Sequence, residues 1–291
     1  MFEGFERRRV AANGVEINLV VAGKGPPVLL LHGYPQTLAI WRKIAPLLAE
    51  RWTVVASDLR GYGDSSKPPG LPDHANYSKR EMARDQLEVM RALGFDRFHL
   101  VGHDRGARVA HRLAADHPQA VSRIAVLDVA PTKAMYERTT MAFARAYYHW
   151  FFLIQPAPFP ETLIGAKPET YLRHHMTRFA GLEPFMPEGW PEYLRCFSDP
   201  AAIHASCEDY RASASIDLEH DAADLTAGRK LACPLLALWG AHGIIAREFD
   251  ALAEWRKVAA DVHGGALACG HYIPEEAPDA LAHALSFFLE G

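Results

Sequence analysis

The chain has 291 residues, 49% of them hydrophobic and 23% charged, so it can bury a core without a disulfide or metal staple. The 31 Lys and Arg against 35 Asp and Glu leave a net charge of −4, which excludes the basic footprint of a nucleic-acid or anionic-membrane binder. Cys196, Cys207, Cys233 and Cys269 form no CxxC pair, the start MFEGFERRRV lacks an apolar signal core, and no apolar run approaches ~18 residues. A soluble cytoplasmic protein with neither metal nor cofactor is expected.

Along the first half, Ile17–Val21, Val28–Leu31, Thr53–Ala56, Arg97–Val101 and Arg123–Leu127 read as strands. The last four are short and apolar, as strands covered on both faces are. Helical spacing runs over Trp41–Glu50, Ser78–Leu93 and Ala107–His117, with Ser78 and Glu81 spaced as a capping box. This alternation predicts an α/β fold with a mostly parallel central sheet flanked by helices. From about Pro131 to Arg229 the strand signal disappears, replaced by aromatic helical stretches and many prolines. That segment, 131–229, is expected to be an inserted helical cap. Strands return at Pro234–Trp239 and Asp261–Leu267, and a helix at Pro278–Leu289 closes the chain. The core is then discontinuous, 1–130 and 230–291.

Gly102-His103-Asp104-Arg105-Gly106 lies where a strand runs into a helix. This is the spacing of the nucleophile elbow of the α/β-hydrolase fold, with Asp104 where serine commonly stands. Taken alone, the pattern reads equally well as an N-cap aspartate. A carboxylate nucleophile suits displacement at saturated carbon: it forms an ester that water can cleave, whereas serine would form an inert ether. His32-Gly33-Tyr34-Pro35 follows a buried strand and fits the oxyanion turn, with the backbone N–H groups of Tyr34 and Arg105 as donors. Asp58–Ser65 reads as a structural, glycine-dependent turn. The base, due after the acid in chain order, is His271 in the loop Cys269–Pro278. The turn Trp239–Ile244 carries no carboxylate, which leaves Asp128, at the end of the strand after the elbow, to orient His271.

These residues resemble the fluoroacetate (haloacetate) dehalogenases along nearly the whole chain, in HGYPQT, DLRGYGDSSKP, GHDRGARV, VLDVAPT, YHWFFLIQPAP, CEDYRASASIDLEHD and GHYIPEEAPD. Epoxide hydrolases and haloalkane dehalogenases carry tryptophan directly after the nucleophile, where this chain has Arg105. The resemblance implies Asp104 as nucleophile, His271 as base, Asp128 as its acid, Arg105 and Arg108 as a clamp on the substrate carboxylate, and His149, Trp150 and Tyr210 as donors to the leaving halide. It also implies a homodimer. Independently, two guanidiniums three residues apart at a helix start suit an anionic substrate, whereas an aromatic stripe such as His149-Trp150 is ordinary packing. Segment Arg178–Arg195 aligns with no family motif.

The expected activity is hydrolysis of haloacetate, a small-molecule substrate, to glycolate and halide. An epoxide hydrolase, with Tyr147, Tyr148 or Tyr210 as acid donors, is the alternative enzyme. A non-catalytic ligand receptor on the same fold is the alternative of a different class.

Overall fold

The computed structural model describes residues 1–291 save the side chain of Phe179. Eight strands form one sheet: β1 (Glu6–Ala12), β2 (Val15–Ala22), β3 (Pro27–Leu31), β4 (Thr53–Ser57), β5 (Phe98–His103), β6 (Val121–Leu127), β7 (Leu235–Gly240) and β8 (Val262–Leu267), in the spatial order β1-β2-β4-β3-β5-β6-β7-β8. β1 and β2 pair antiparallel with each other and β2 pairs antiparallel with β4, while every pairing from β4 through β8 is parallel. Side chains alternate across the sheet. Leu29, Leu31, Leu100 and Val126 pack under α2 (after α1, Ala45–Ala49), which spans Lys79–Ala92, and under α3 (Arg105–Asp116). Val28, Leu30, Val101 and Leu127 face the other way, toward α1 and the C-terminal helix.

Between β6 and β7 the chain is helical throughout: α4 (Thr132–Glu137), α5 (Met141–Ala146), α6 (Tyr148–Phe152), α7 (Phe159–Ala166), α8 (Pro168–Ala180), α9 (Gly189–Phe197), α10 (Pro200–Ser213) and α11 (Ile216–Thr226). After β7 come α12 (Ile244–Glu248), α13 (Ala251–Val258), α14 (Ile273–Glu276) and α15 (Pro278–Glu290). No helix is long and apolar enough to cross a membrane.

The strand expectations hold to within a few residues, with one omission. β1 escapes hydrophobic patterning because its side chains, ERRRVAA, are mostly exposed on a sheet edge. The legible signal is the turn: Asn13 and Gly14 both have positive φ, the requirement of a tight hairpin. The expected helix Trp41–Glu50 divides into a 3-10 helix, Leu38–Lys43, and α1, with Pro46 at the start of the latter. The capping box is half made. Ser78 Oγ accepts from Glu81 N at 3.3 Å, while the Glu81 carboxylate turns to Asn13.

Register decides where the site forms. Leu31 stands beside Gly102, His103 beside Leu127, and Leu127 beside Leu238. The residues that follow β3, β5 and β6 therefore emerge together at the carboxyl edge, where parallel sheets bind ligands. α3 must start close against β3 for this. A Cβ on Gly106 would run into the backbone carbonyl oxygens of Leu31 and His32, neither of which can yield without moving the strand. Gly106→Ala should therefore cost about 1–3 kcal/mol or more by overpacking. Calorimetry should find the thermal midpoint lowered by several degrees, and an unchanged midpoint would contradict the tight α3–β3 contact.

Candidate active site

Asp104 follows β5 with φ +46° and ψ −112° and is 4% exposed. Such a conformation costs about 1–3 kcal/mol and persists only where its surroundings impose it. Here glycines make room: a Cβ on Gly33 would lie 2.6 Å from the Asp104 Cβ, and one on Gly102 would lie 2.5 Å from Gly106 O. Asp104 occupies the N-cap position of α3, yet its side chain caps nothing. It is turned instead to the β3 turn, where its Oδ2 accepts the Tyr34 N–H at 3.0 Å. That places one of the two expected oxyanion donors on the nucleophile candidate. Arg105, the other, opens α3, where backbone N–H groups have no helical acceptor. Burial opposes ionisation of Asp104, but His271, Arg108 and Arg105 outweigh it and hold the carboxyl below its ordinary range.

His271 Nδ1 donates to Asp128 Oδ2 at 2.6 Å. Asp128 Oδ1 accepts from Gly240 N at 2.9 Å, and Asp128 N donates to Leu238 O at 2.7 Å. The Trp239–Gly243 turn, which carries no acid, thus serves as a backbone cradle for the acid on the neighbouring strand. Burial lowers the basicity of His271, but its bond to Asp128 and the charges of Asp128 and Asp104 prevail, so its pKa lies above the usual 6.5. His103, beside the elbow, holds the His271 carbonyl through Nε2 at 2.8 Å. Burial and the charge of His271 drive the His103 pKa down to about 3, so it stays neutral.

The Asp58 turn is structural as expected: its carboxylate accepts from Leu38 N, Asp64 N and Asn18 Nδ2. His32 ties that turn to the oxyanion turn. Its Nε2 accepts from Leu59 N at 3.0 Å and its Nδ1 donates to Gly33 O at 2.9 Å.

The two arginines are buried near Asp104 but engaged by protein. The Nε and Nη2 of Arg105 close on Asp209, leaving only Nη1 without a partner among the described residues. Of the Arg105 guanidinium, a single nitrogen is thus left for a substrate carboxylate. Arg108 donates through Nη1 to Ala130 O and Thr132 Oγ1, touches the Met135 sulfur with Nη2, and has no partner for Nε among the described residues. Its guanidinium lies 4.7 Å from the Trp150 ring centre.

His149, Trp150 and Tyr210 come together from α6 and α10. Tyr210 stands edge-on to Tyr34 at 5.3 Å and to His149 at 5.7 Å, with Trp150 6.3 Å away. All three are buried. Trp150 Nε1 and Tyr210 Oη have no hydrogen-bond partner among the described residues. His149 is held neutral by burial and by His175 and Arg178. A cavity of about 10 Å³ opens on Asp104 and His271, walled by Tyr34, Tyr147, His149 and His175. A larger cavity, about 430 Å³, lies away from them between α3, α4, α11 and α13.

Sequence reasoning missed Asp209, Lys79, His175 and Arg178. Asp209 had a signal, its place beside Tyr210 in CEDYRAS. Lys79 had none, since a lysine opening a helix looks like surface. His175 and Arg178 lie on α8, which matched no motif.

Residues 26–278 match the α/β hydrolase fold family. A fluoroacetate dehalogenase from Burkholderia sp is 52% identical over 99% of this chain and 95% of its own. A soluble epoxide hydrolase from Corynebacterium sp. (strain C12) is 37% identical over 95% of this chain and 94% of its own. Among solved structures, ALR0039 from Nostoc sp PCC 7120 superposes with a TM-score of 0.97 and 59% identity over 99% of both chains.

The Asp128–His271 pair makes a prediction independent of activity. Asp128→Asn removes the charge that raises the imidazole pKa and leaves the burial that lowers it. NMR titration of His271 should find its pKa shifted downward from the parent value. An unshifted or higher value would remove Asp128 from its role.

Proposed function

Because this chain belongs to the haloacetate dehalogenase family of the α/β-hydrolase fold, we propose that it hydrolyses haloacetate, fluoroacetate included, to glycolate and halide. The observation that carries this reading is the pair of buried, unpartnered donors, Trp150 Nε1–H and Tyr210 Oη–H, packed beside His149 next to the aspartate elbow. Leaving such donors unpaired costs about 1–3 kcal/mol each. A halide leaving carbon supplies the acceptor they lack.

An oxygen of Asp104 attacks the methylene carbon as the carbon–halogen bond breaks, and halide departs with the electron pair toward His149, Trp150 and Tyr210. The product is an ester of Asp104. Arg105 Nη1 and Arg108 Nε hold the substrate carboxylate and offset its repulsion by the nucleophile. His271 then takes a proton from water, and the hydroxide attacks the aspartyl carbonyl carbon. The N–H groups of Tyr34 and Arg105 hold the oxyanion until it collapses and the ester bond breaks; the glycolate oxygen leaves with the proton carried by His271, and the Asp104 carboxylic acid so formed loses its proton to solvent, which restores both groups. His271 must be neutral for this half-reaction, and Asp128 keeps its Nδ1 protonated so that Nε2 accepts. The resemblance adds a homodimer to the proposal, and a cytoplasmic setting is part of the same reading.

The epoxide hydrolase reading has an observation of its own: Tyr147 lines the small cavity and stands edge-on to His271. Tyr148, the second acid candidate, instead packs against Arg178 and His174. The buried arginines also suit an anion better than a neutral epoxide. A receptor without catalysis has no use for the ionised Asp104 and its poised base.

Fluoride release from fluoroacetate, read with an ion-selective electrode beside styrene oxide turnover, tests the reading. Fluoride without diol is expected, and diol without halide would replace it with the epoxide reading. For the two steps, His271→Asn exposed to bromoacetate should accumulate Asp104 ester, visible as added mass in the intact protein. In the parent enzyme the same ester should build up as pH falls through the raised His271 pKa, since ionised Asp104 still attacks while protonated His271 cannot take a proton. Absence of ester in His271→Asn protein that binds substrate would rule out the covalent route.

Fluoride concentrates its charge more than bromide, so directed donors matter more to its departure. Trp150→Phe and Tyr210→Phe should slow single-turnover halide release from fluoroacetate by roughly 10-fold or more beyond any loss with bromoacetate, on the scale of one charged hydrogen bond. Equal losses would reduce these residues to shaping the pocket.

A further inference from the structure

α10 carries Asp209 one residue before Tyr210, and its carboxylate is fully buried among donors that the proposed chemistry leaves unused. Oδ1 accepts from Arg105 Nη2 at 2.7 Å and from Lys79 Nζ. Oδ2 accepts from Arg105 Nε at 3.0 Å and from Tyr62 Oη at 2.6 Å. Arg105 Nη2 also donates to Asp209 O at 2.9 Å and to Ser213 Oγ at 2.7 Å. These contacts use the whole Nε–Nη2 edge of the guanidinium, the side by which arginine commonly grips a carboxylate. Only Nη1 remains, buried and without a partner among the described residues. The same guanidinium lies 4.1 Å from the centre of the Tyr210 ring, whose hydroxyl is likewise without a partner among the described residues.

We infer that Asp209 is a positioning residue: by holding the Nε–Nη2 edge of Arg105 it turns Nη1 toward the substrate anion and seats the Tyr210 phenol against the same guanidinium. One buried carboxylate thereby sets the spacing between the anion end and the halide end of the site. The identity of the anion rests on the haloacetate reading; the geometry of Arg105 does not. A fixed guanidinium binds with less loss of side-chain freedom than a mobile one. The anchor does not simply cancel the charge it positions, because Asp209 is shared. Lys79 Nζ contacts Asp209 and also reaches Asp217 Oδ2 at 3.6 Å. Two cations and two carboxylates form a balanced buried set from which Arg105 still presents an open N–H.

Lys79 makes the inference testable apart from folding. Asp209→Asn alone leaves two cations against Asp217, which destabilises the protein whatever Arg105 does. Adding Lys79→Met restores the formal balance without restoring the anchor. Acetate is the probe, titrated calorimetrically into the parent enzyme, Asp209→Asn, and the Lys79→Met/Asp209→Asn double variant, with thermal midpoints measured alongside. The parent should bind acetate, and Asp209→Asn should bind it roughly 10-fold or more weakly, the scale of a misplaced charged hydrogen bond. In the double variant the midpoint should recover while acetate affinity stays low. If the single variant does not fold, the double variant carries the comparison. Equal or tighter acetate binding in Asp209→Asn would show that the carboxylate only neutralises Arg105, and affinity that recovers with the midpoint would assign it to charge balance; either overturns the inference, as does a parent protein that takes up no acetate. Acetate binding requires no turnover, so an enzyme that releases no fluoride yet loses acetate with Asp209 would fail the haloacetate reading and leave this one standing.

Discussion

A carboxylate that must stay ionised while covered by protein governs this architecture. Burying an unpaired carboxylate costs several kcal/mol even after the protein relaxes, and the elbow at Asp104 adds backbone strain. The offsets are local and named: the Tyr34 N–H, the imidazole of His271, and the charges of Arg108 and Arg105. The arginines are buried too, so they need partners of their own. Ala130, Thr132, Met135, Asp209 and Ser213 supply them, and all five lie beyond β6. Tyr210 and Trp150 add ring faces to the same two guanidiniums. The helices between β6 and β7 are therefore part of the electrostatics of the elbow. Losing them would strand two cations and, through them, the Asp104 carboxylate.

Two further carboxylates, the buried Glu275 and the half-buried Glu276, secure the His271 loop. Glu276 accepts from the backbone N–H groups on both sides of His271, Gly270 through Oε2 and Tyr272 through Oε1. Its neighbour Glu275 faces the opposite way and takes donors from Arg42 and Tyr193. Arg42 belongs to the 3-10 helix after the oxyanion turn, and Tyr193 to α9. The pair Glu275-Glu276 thus links the His271 loop to β3 and to the helical segment. This gives the imidazole fixed coordinates relative to Asp104 although the two lie on separate loops.

What was legible in the sequence follows from range. Buried strands announce themselves because each residue meets core on one side or the other, and β3 through β6 were readable for that reason. The elbow, the Tyr34 turn, Asp128 and His271 were readable because chain order and strand ends constrain them. β1 was obscured because an edge strand with exposed side chains lacks the apolar pattern, although Asn13-Gly14 marked its turn. The division of labour within Arg105 was invisible, since it depends on Asp209 more than a hundred residues away and on Lys79 at the start of another helix. Spacing brought Arg105 and Arg108 to the nucleophile. Only three-dimensional contacts reveal which of their nitrogens are already taken.

Size and donor placement act on different parts of the proposed reaction. The cavity at Asp104, about 10 Å³, is room for about one water, so even a two-carbon acid must displace walls made of Tyr34, Tyr147, His149 and His175. Those walls are rings packed on one another, with Tyr34 stacked on His149 at 6.0 Å and His149 edge-on to His175 at 4.5 Å. On the proposed reading a haloacetate needs the smaller displacement of these rings and an aryl epoxide, a much larger molecule, the greater. Steric selection therefore falls on binding. In the proposed reaction Trp150 Nε1 and Tyr210 Oη act later: carbon-bound halogen is a poor acceptor, and they would gain a full partner only as negative charge reaches the leaving atom. Both side chains are buried, so that gain would be little diluted by water. On that reading, the burial that shields Asp104 from solvent also lets the two donors favour the transition state over the bound substrate.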